Sequence, residues 1–341
     1  MRLWAAAGLG LAFVLVAWAQ EPSELSDKAQ AHAQAGRLVE AEALWKQAIA
    51  VQPNFFPALF NLGYMKYSSG SPDAALPYLA KAAEANPGDF NTHYLRGLIL
   101  QKQGRGDDAL KSWQQGLKIR PDHYKLMQVM AVEYGKGRYH NEAAAVLDQA
   151  IKLQPSDQNL YLMAITAYRE AGDRDRGLEL AEQAYKRWPN SHRTTFEYAW
   201  HLQKAGRYAE CLPLLEEAMQ LAPDYEEPYF FYGDWLVNEG RYDEAVEPLR
   251  KSIEIRPDYV PARVRLGRAL IGLKRWDDAV EELERTVAME PRHPQPHLLL
   301  SQIYFRLKDR DRARIERELS LKLRRENPAY LEAAQTRPFP D

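Results

Sequence analysis

The chain has 341 residues, 45 basic and 47 acidic side chains, a net charge of −2, and 46% apolar and 27% charged residues. That balance fits a soluble folded protein and excludes both the strongly basic surface of a nucleic-acid binder and a long acidic solvating tail. The lone cysteine, Cys211, rules out an internal disulfide, so packing must hold the fold.

The first element is unlike the rest. Arg2 precedes an apolar run over 3–19 that ends Ala17-Trp18-Ala19. One early positive charge, an apolar run and an A-x-A site predict a secretory signal peptide over 1–19, cut after Ala19. The alternative is an uncleaved membrane anchor, for which 17 apolar-run residues are at the short limit. The chain has no N-x-[ST] acceptor and no disulfide, which favours a bacterial envelope compartment, the periplasm, over a eukaryotic secretory one.

From residue 22 onward the sequence repeats. Prolines stand at 53, 87, 121, 155, 189, 223, 257 and 291, each 34 residues after the last. Three series of small residues keep the same step. One runs Ala41, Ala75, Ala109, Ala143, Gly177, Cys211, Ala245, Ala279, Ala313. A second runs Ala48, Ala82, Gly116, Ala150, Ala184, Ala218, Ser252, Thr286, Ser320. A third runs Ala29, Gly63, Gly97, Ala131, Ile165, Ala199, Gly233, Gly267, Ser301, with Ile165 its one large member. Small side chains recur where two helix backbones must approach closely. The prolines punctuate the end of a second helix, and glycines at 36, 70, 104, 172, 206 and 240 mark the turn between paired helices. In the fourth unit the glycine is Gly137, one place early, which predicts a longer loop and a first helix one residue shorter. In the eighth unit Lys274 replaces the glycine, so that turn forms under some strain.

These spacings, with Leu62-Gly63, Leu266-Gly267, Tyr168, Tyr304, Trp45 and Trp113 at matching positions, resemble the tetratricopeptide repeat family. The resemblance implies an all-α, right-handed superhelical solenoid of about nine 34-residue helix-turn-helix repeats. They fall at 22–55, 56–89, 90–123, 124–157, 158–191, 192–225, 226–259, 260–293 and a capping unit at 294–327. That cap has no proline at 325 and is rich in arginine. The segment 328–341 reads as a disordered tail. Pro77, Pro213 and Pro248 fall inside second helices, where each should cost a backbone hydrogen bond or a kink.

Catalytic constellations are thin. No phosphate-binding loop, nucleophile elbow or zinc-protease motif occurs. His293 and His297 have four-residue spacing, but intervening prolines favour two surface histidines at a repeat junction over a metal site. Asp107-Asp108 and Asp277-Asp278 start second helices, where they complement the helix dipole. Cys211 sits in a small-residue slot, which predicts a packing residue and not a nucleophile. The expectation is therefore a protein that is not an enzyme and needs no cofactor or metal.

The resemblance implies that positions 2, 5, 9, 12 and 13 of each unit face a concave groove. These positions hold Phe60, Tyr64, Tyr67, Tyr94 and Leu98, then Phe196, Trp200 and Phe230, then Val264, Ile271, Leu298 and Phe305. Aromatic anchors suit protein interfaces, while some of these rings could equally pack between neighbouring helices. Charge is uneven: residues 210–254 carry twelve acids against three bases, and residues 306–326 nine bases against five acids. Such runs are usually solvated faces, or they steer a basic partner or self-association. The carboxylate clamp of chaperone-binding members needs Lys and Asn where this chain has Ser26 and Gln30. The expected function is a non-catalytic scaffold or adaptor acting outside the cytoplasm and holding an extended or helical segment of another protein. The alternative is an accessory subunit of an envelope polysaccharide, cell-wall or secretion complex.

Overall fold

A computed structural model describes residues 21–327; the apolar leader and the tail lie outside the described residues. The described chain is all-α. Eighteen helices alternate with short turns, and no strand occurs among the described residues.

Two compact units divide it between Ser156 and Asp157. The first holds α1 (Pro22–Gln34), α2 (Leu38–Val51), α3 (Phe56–Ser68), α4 (Pro72–Ala85), α5 (Phe90–Lys102), α6 (Gly106–Ile119), α7 (Tyr124–Lys136) and α8 (His140–Leu153). The second holds α9 (Gln158–Ala171), α10 (Arg174–Arg187), α11 (His192–Lys204), α12 (Tyr208–Leu221), α13 (Glu226–Asn238) and α14 (Tyr242–Ile255). It continues with α15 (Val260–Gly272), α16 (Trp276–Met289), α17 (Pro294–Arg306) and α18 (Arg310–Glu326). Within each unit, helices pair in antiparallel fashion and each pair stacks on the next.

Local chemistry sets these boundaries. Every second helix but the last ends two residues before one of the 34-spaced prolines. At that place the missing N–H and the restricted preceding residue stop helical propagation. Each turn between paired helices closes with the same six-to-one backbone bond, as in Arg37 N to His32 O (2.9 Å) and Arg275 N to Leu270 O (2.9 Å). That closure needs one left-handed residue. Glycines 36, 70, 104, 172, 206 and 240 supply it, with φ between 73° and 80°.

The fourth turn departs from expectation. Its helix α7 keeps thirteen residues and its loop is no longer than the others. Gly137 ends the helix in the right-handed region, and Arg138 takes the left-handed place at φ 61°. The closing bond, Tyr139 N to Tyr134 O, fixes the register more strongly than the glycine's position does. Lys274 (φ 59°) and Lys308 (φ 65°) adopt the same conformation, at a cost of about 1 kcal/mol each.

The small-residue series are the contacts of the stack. A Cβ on Gly63, Gly233 or Gly267 would come within 2.8 Å of Leu79, Leu249 or Leu283, sixteen residues on. Opposite Gly97 the partner is the fully buried Trp113. The fifth repeat inverts the pair: the large Ile165 stands where the others have a small residue, and Ala181 stands in the large slot, both fully buried. The exchange conserves volume within the layer, so the exception at Ile165 costs no packing.

Candidate protein-binding surfaces

The first helices of each unit carry most of the chain's half-exposed rings. In the first unit, Phe56, Phe60 and Tyr64 lie at four-residue intervals on α3, one stripe of a helix. Their rings stack with centroids 5.9 and 6.3 Å apart. Phe60 and Tyr67 are rooted in the cluster formed by Ala75, Leu79, Leu95 and Ile99. Tyr64 is 55% exposed, a large apolar area for one side chain to leave in water. On α5, Tyr94 stacks on Phe90 at 5.7 Å, and Leu98 stands one turn further on, half-buried. Lys102 lies 5.3 Å over the Tyr67 ring.

In the second unit, Trp200 is half-buried between two cations: Arg169 is 5.1 Å and Lys204 5.3 Å from the ring centroid. Arg169 also reaches Glu197 at 3.2 Å. Burial raises the Glu197 carboxyl above its usual range, because the Arg169 charge offsets only part of the desolvation and Glu227 adds repulsion. Phe230 is half-buried, its edge contacts Phe231 and Tyr259 at 5.0 and 5.2 Å. Arg265 Nε stands 2.5 Å from Asp234 on the neighbouring first helix. Phe305 on α17 is 68% exposed.

Two expected groove residues are instead core. Phe196 is 2% exposed and packs against Tyr225 and Phe231 at 5.3 and 5.5 Å, which leaves no ring face for a partner. Val264 is likewise buried, while Ile271 packs against the same cluster half-buried. His297 is not a surface histidine: it is buried, with Nε2 donating to the Pro291 carbonyl and Nδ1 2.6 Å from Glu316. His293 caps α17 by accepting from Gln295 N. Cys211 is fully buried, and desolvation pushes its thiol up to about 12. Five of the twelve acids of the run 210–254 are locally neutralised. Glu210, Glu226, Asp234, Glu244 and Glu254 each pair with an arginine or lysine, several of these lying outside the run.

The charged partners Arg169, Lys204, Asp234 and Lys102 were legible in the sequence. They occupy positions 9, 12 and 13 of their repeats, the same register that yielded the rings. Reading that register for aromatic residues alone passes over them.

Models of the tetratricopeptide repeat match residues 26–90, 130–192, 202–249 and 236–295. The chain belongs to the tetratricopeptide repeat family. No curated protein matches the sequence. Among solved structures, the APC/C hetero-tetramer Cut9–Hcn1 aligns with a TM-score of 0.54 at 14% identity. The alignment covers 84% of this chain and 56% of that one, a likeness of fold. A MamA protein crystal structure aligns with 50% of this chain and 92% of its own, at 18% identity and a TM-score of 0.42. MamA from Desulfovibrio magneticus RS-1, residues 41 to the end, aligns with 49% of this chain and 94% of its own, at 21% identity and a TM-score of 0.39. Tetratricopeptide repeat arrays are protein-binding scaffolds, typically without catalytic chemistry of their own. No helix of the described residues is long and apolar enough to cross a membrane.

Proposed function

We propose that this tetratricopeptide repeat protein is a non-catalytic adaptor acting outside the cytoplasm, and that its first-helix faces hold an extended or helical segment of a partner protein. The observation that carries the reading is the stacked ring stripe of α3 ending in exposed Tyr64, together with the cation-flanked Trp200 of α11. Rings rooted in the core present large apolar area that loses little side-chain entropy on binding. Lys102 beside Tyr67, and Arg169 and Lys204 beside Trp200, add charge to each face. Those faces favour a partner segment that alternates apolar anchors with carboxylates.

Export rests on the apolar leader over 1–19, which argues for the periplasm or, uncleaved, for a membrane-tethered form. The non-catalytic reading is supported by the buried, strongly desolvated Cys211 and by acidic pairs already engaged in ion pairs, Asp108 with Arg105 and Asp278 with Arg275.

Affinity capture from an envelope fraction tests the reading. Wild-type bait should retain a defined partner, and Tyr64→Ala, Trp200→Ala and Phe230→Ala should each weaken capture, by about 2 kcal/mol at a true anchor. Undiminished capture by a folded triple variant would remove the rings from the interface. Recovery of the full-length protein only in the cytoplasmic fraction would refute export.

A further inference from the structure

A cleft in the first unit, away from the rings described above, has the makings of a ligand site. It lies between α4, α5 and α6, with a volume of about 650 Å³, within the range of small-molecule pockets. Its apolar wall is Leu76, Pro77, Ala80 and Leu100, and its polar wall includes His93, Arg96, Ser112 and Lys111.

His93 is the informative residue because the fold repeats it. Three repeats carry a histidine or arginine at the fourth position of the first helix: His93, Arg263 and His297. Each donates to the carbonyl of the proline six residues back. His93 Nε2 reaches Pro87 at 3.0 Å, Arg263 Nε reaches Pro257 at 2.9 Å, and His297 Nε2 reaches Pro291 at 3.0 Å. In the eighth and ninth repeats a carboxylate nineteen residues on completes the arrangement: Glu282 for Arg263, and Glu316 at 2.6 Å for His297 Nδ1. In the third repeat that position is Ser112, and it does not close the bond. His93, 6% exposed, lines the cleft and keeps a buried Nδ1 with no partner.

Arg96, one turn along the same helix, is the second unmatched group. It occupies the position where the ninth repeat has the buried Leu300, and its Nε is buried without a hydrogen-bond partner. The carboxylates around it are engaged elsewhere. Asp73 accepts from Gln103 at 2.5 Å, and Asp108 pairs with Arg105 at 2.7 Å and Lys111 at 3.4 Å. Burial pushes the Arg96 guanidinium below its usual range; Glu84 and Asp108 oppose this only in part, and the Arg105 charge adds to it. A half-buried cation whose neighbouring carboxylates offset its desolvation only in part favours a further carboxylate brought to it. The cleft wall totals three cations against two carboxylates.

We propose that this cleft binds a small organic acid, its carboxylate standing between His93 Nδ1 and Arg96 where Glu316 stands in the ninth repeat, and its hydrocarbon part on the Leu76–Pro77–Ala80–Leu100 wall. The proton between Nδ1 and the carboxyl group satisfies the bond on either atom. Pro77 belongs to this wall, which gives a role to one of the prolines that lie inside second helices, here within the unbroken α4.

The test is calorimetric titration of the full chain with hexanoate, beside hexan-1-ol, inorganic phosphate and the blocked tripeptide acetyl-Ala-Glu-Ala-amide. Hexanoate should saturate at one site and bind about ten-fold tighter than hexan-1-ol, the usual worth of a charged hydrogen bond. Arg96→Leu should lose about ten-fold in hexanoate affinity. Ser112→Glu should install the ninth repeat's bond internally, raise the melting temperature and abolish hexanoate binding. If the Arg96→Leu chain fails to fold, the Ser112→Glu chain still decides. Equal binding of hexanoate and hexan-1-ol, unchanged hexanoate affinity in Ser112→Glu, or no saturable hexanoate binding would overturn the proposal. Saturation by phosphate or by the tripeptide alone would also overturn it, by assigning the cleft to a different anion or to a protein side chain.

Discussion

Gly97→Ala sets two ordinary effects against each other and lets the structure decide between them. An alanine in mid-helix is favoured over glycine by about 1 kcal/mol from backbone entropy alone. Here the added Cβ would fall within 2.5 Å of three indole atoms of Trp113, a residue with no solvent exposure and nowhere to move. Overpacking of this kind costs about 3 kcal/mol at the upper end of its usual range. Displacing the indole also breaks the 3.1 Å bond from Trp113 Nε1 to the Tyr94 carbonyl, worth about 1 kcal/mol. The net expectation is a loss of about 3 kcal/mol. Urea unfolding followed by circular dichroism would measure it. The fifth repeat supplies the rescue, since Ile165 over Ala181 fills the same layer the other way round. Gly97→Ile with Trp113→Ala should therefore recover a coupling of at least about 1 kcal/mol relative to the summed single variants. A neutral or stabilised Gly97→Ala protein, or strictly additive variants, would refute the view that these positions form one packing unit.

Three further outcomes follow from named residues. Lys274→Gly and Arg138→Gly should each stabilise by about 0.5 kcal/mol, because relief of a left-handed side chain (about 1 kcal/mol) exceeds the added chain entropy; thermal denaturation reads this directly. His201 is buried over Gly177 beside Arg169, and burial lowers its pKa from 6.5 to about 4. The folded state thus excludes a proton that the unfolded chain takes up. Its contribution is complete above pH 6.5 and fades as pH falls toward 4, by a few kcal/mol at most; His201→Leu should flatten that part of a stability-versus-pH curve. Cys211 should resist a thiol-titrating disulfide reagent at pH 8 in the native protein and react fully in denaturant, since its thiol is both buried and raised to about 12.

The fold was legible because its determinants are local and periodic. Prolines, turn glycines and small residues each report a backbone requirement, and nine copies average out the exceptions. Where the sequence misled, a longer-range bond had prevailed over a local preference. Gly137 marks the wrong residue because the Tyr139–Tyr134 bond fixes the register and Arg138 bears the strain. The candidate surfaces were less legible. Register places Phe60, Tyr64, Trp200 and Phe196 on equivalent helical faces, yet Phe196 is core because Tyr225, at the end of its own repeat, and Phe231 from the next close over it. Burial of a ring depends on the size of its neighbours, which a single-repeat register does not encode. The His93 cleft was invisible for a related reason: it is defined by Ser112 lacking what Glu316 provides, and only superposing repeats reveals the difference.

First helices begin at Pro22, Phe56, Phe90, Tyr124, Gln158, His192, Glu226, Val260 and Pro294, with no insertion or deletion in between. A genetic crossover between any two repeats therefore yields a chain whose seams still meet in phase. The residues that seal each layer, such as Ala75 and Leu79, occupy different positions from those that present Tyr64 or Lys102. Duplication can lengthen the ladder and drift can repaint its rungs without either process disturbing the other.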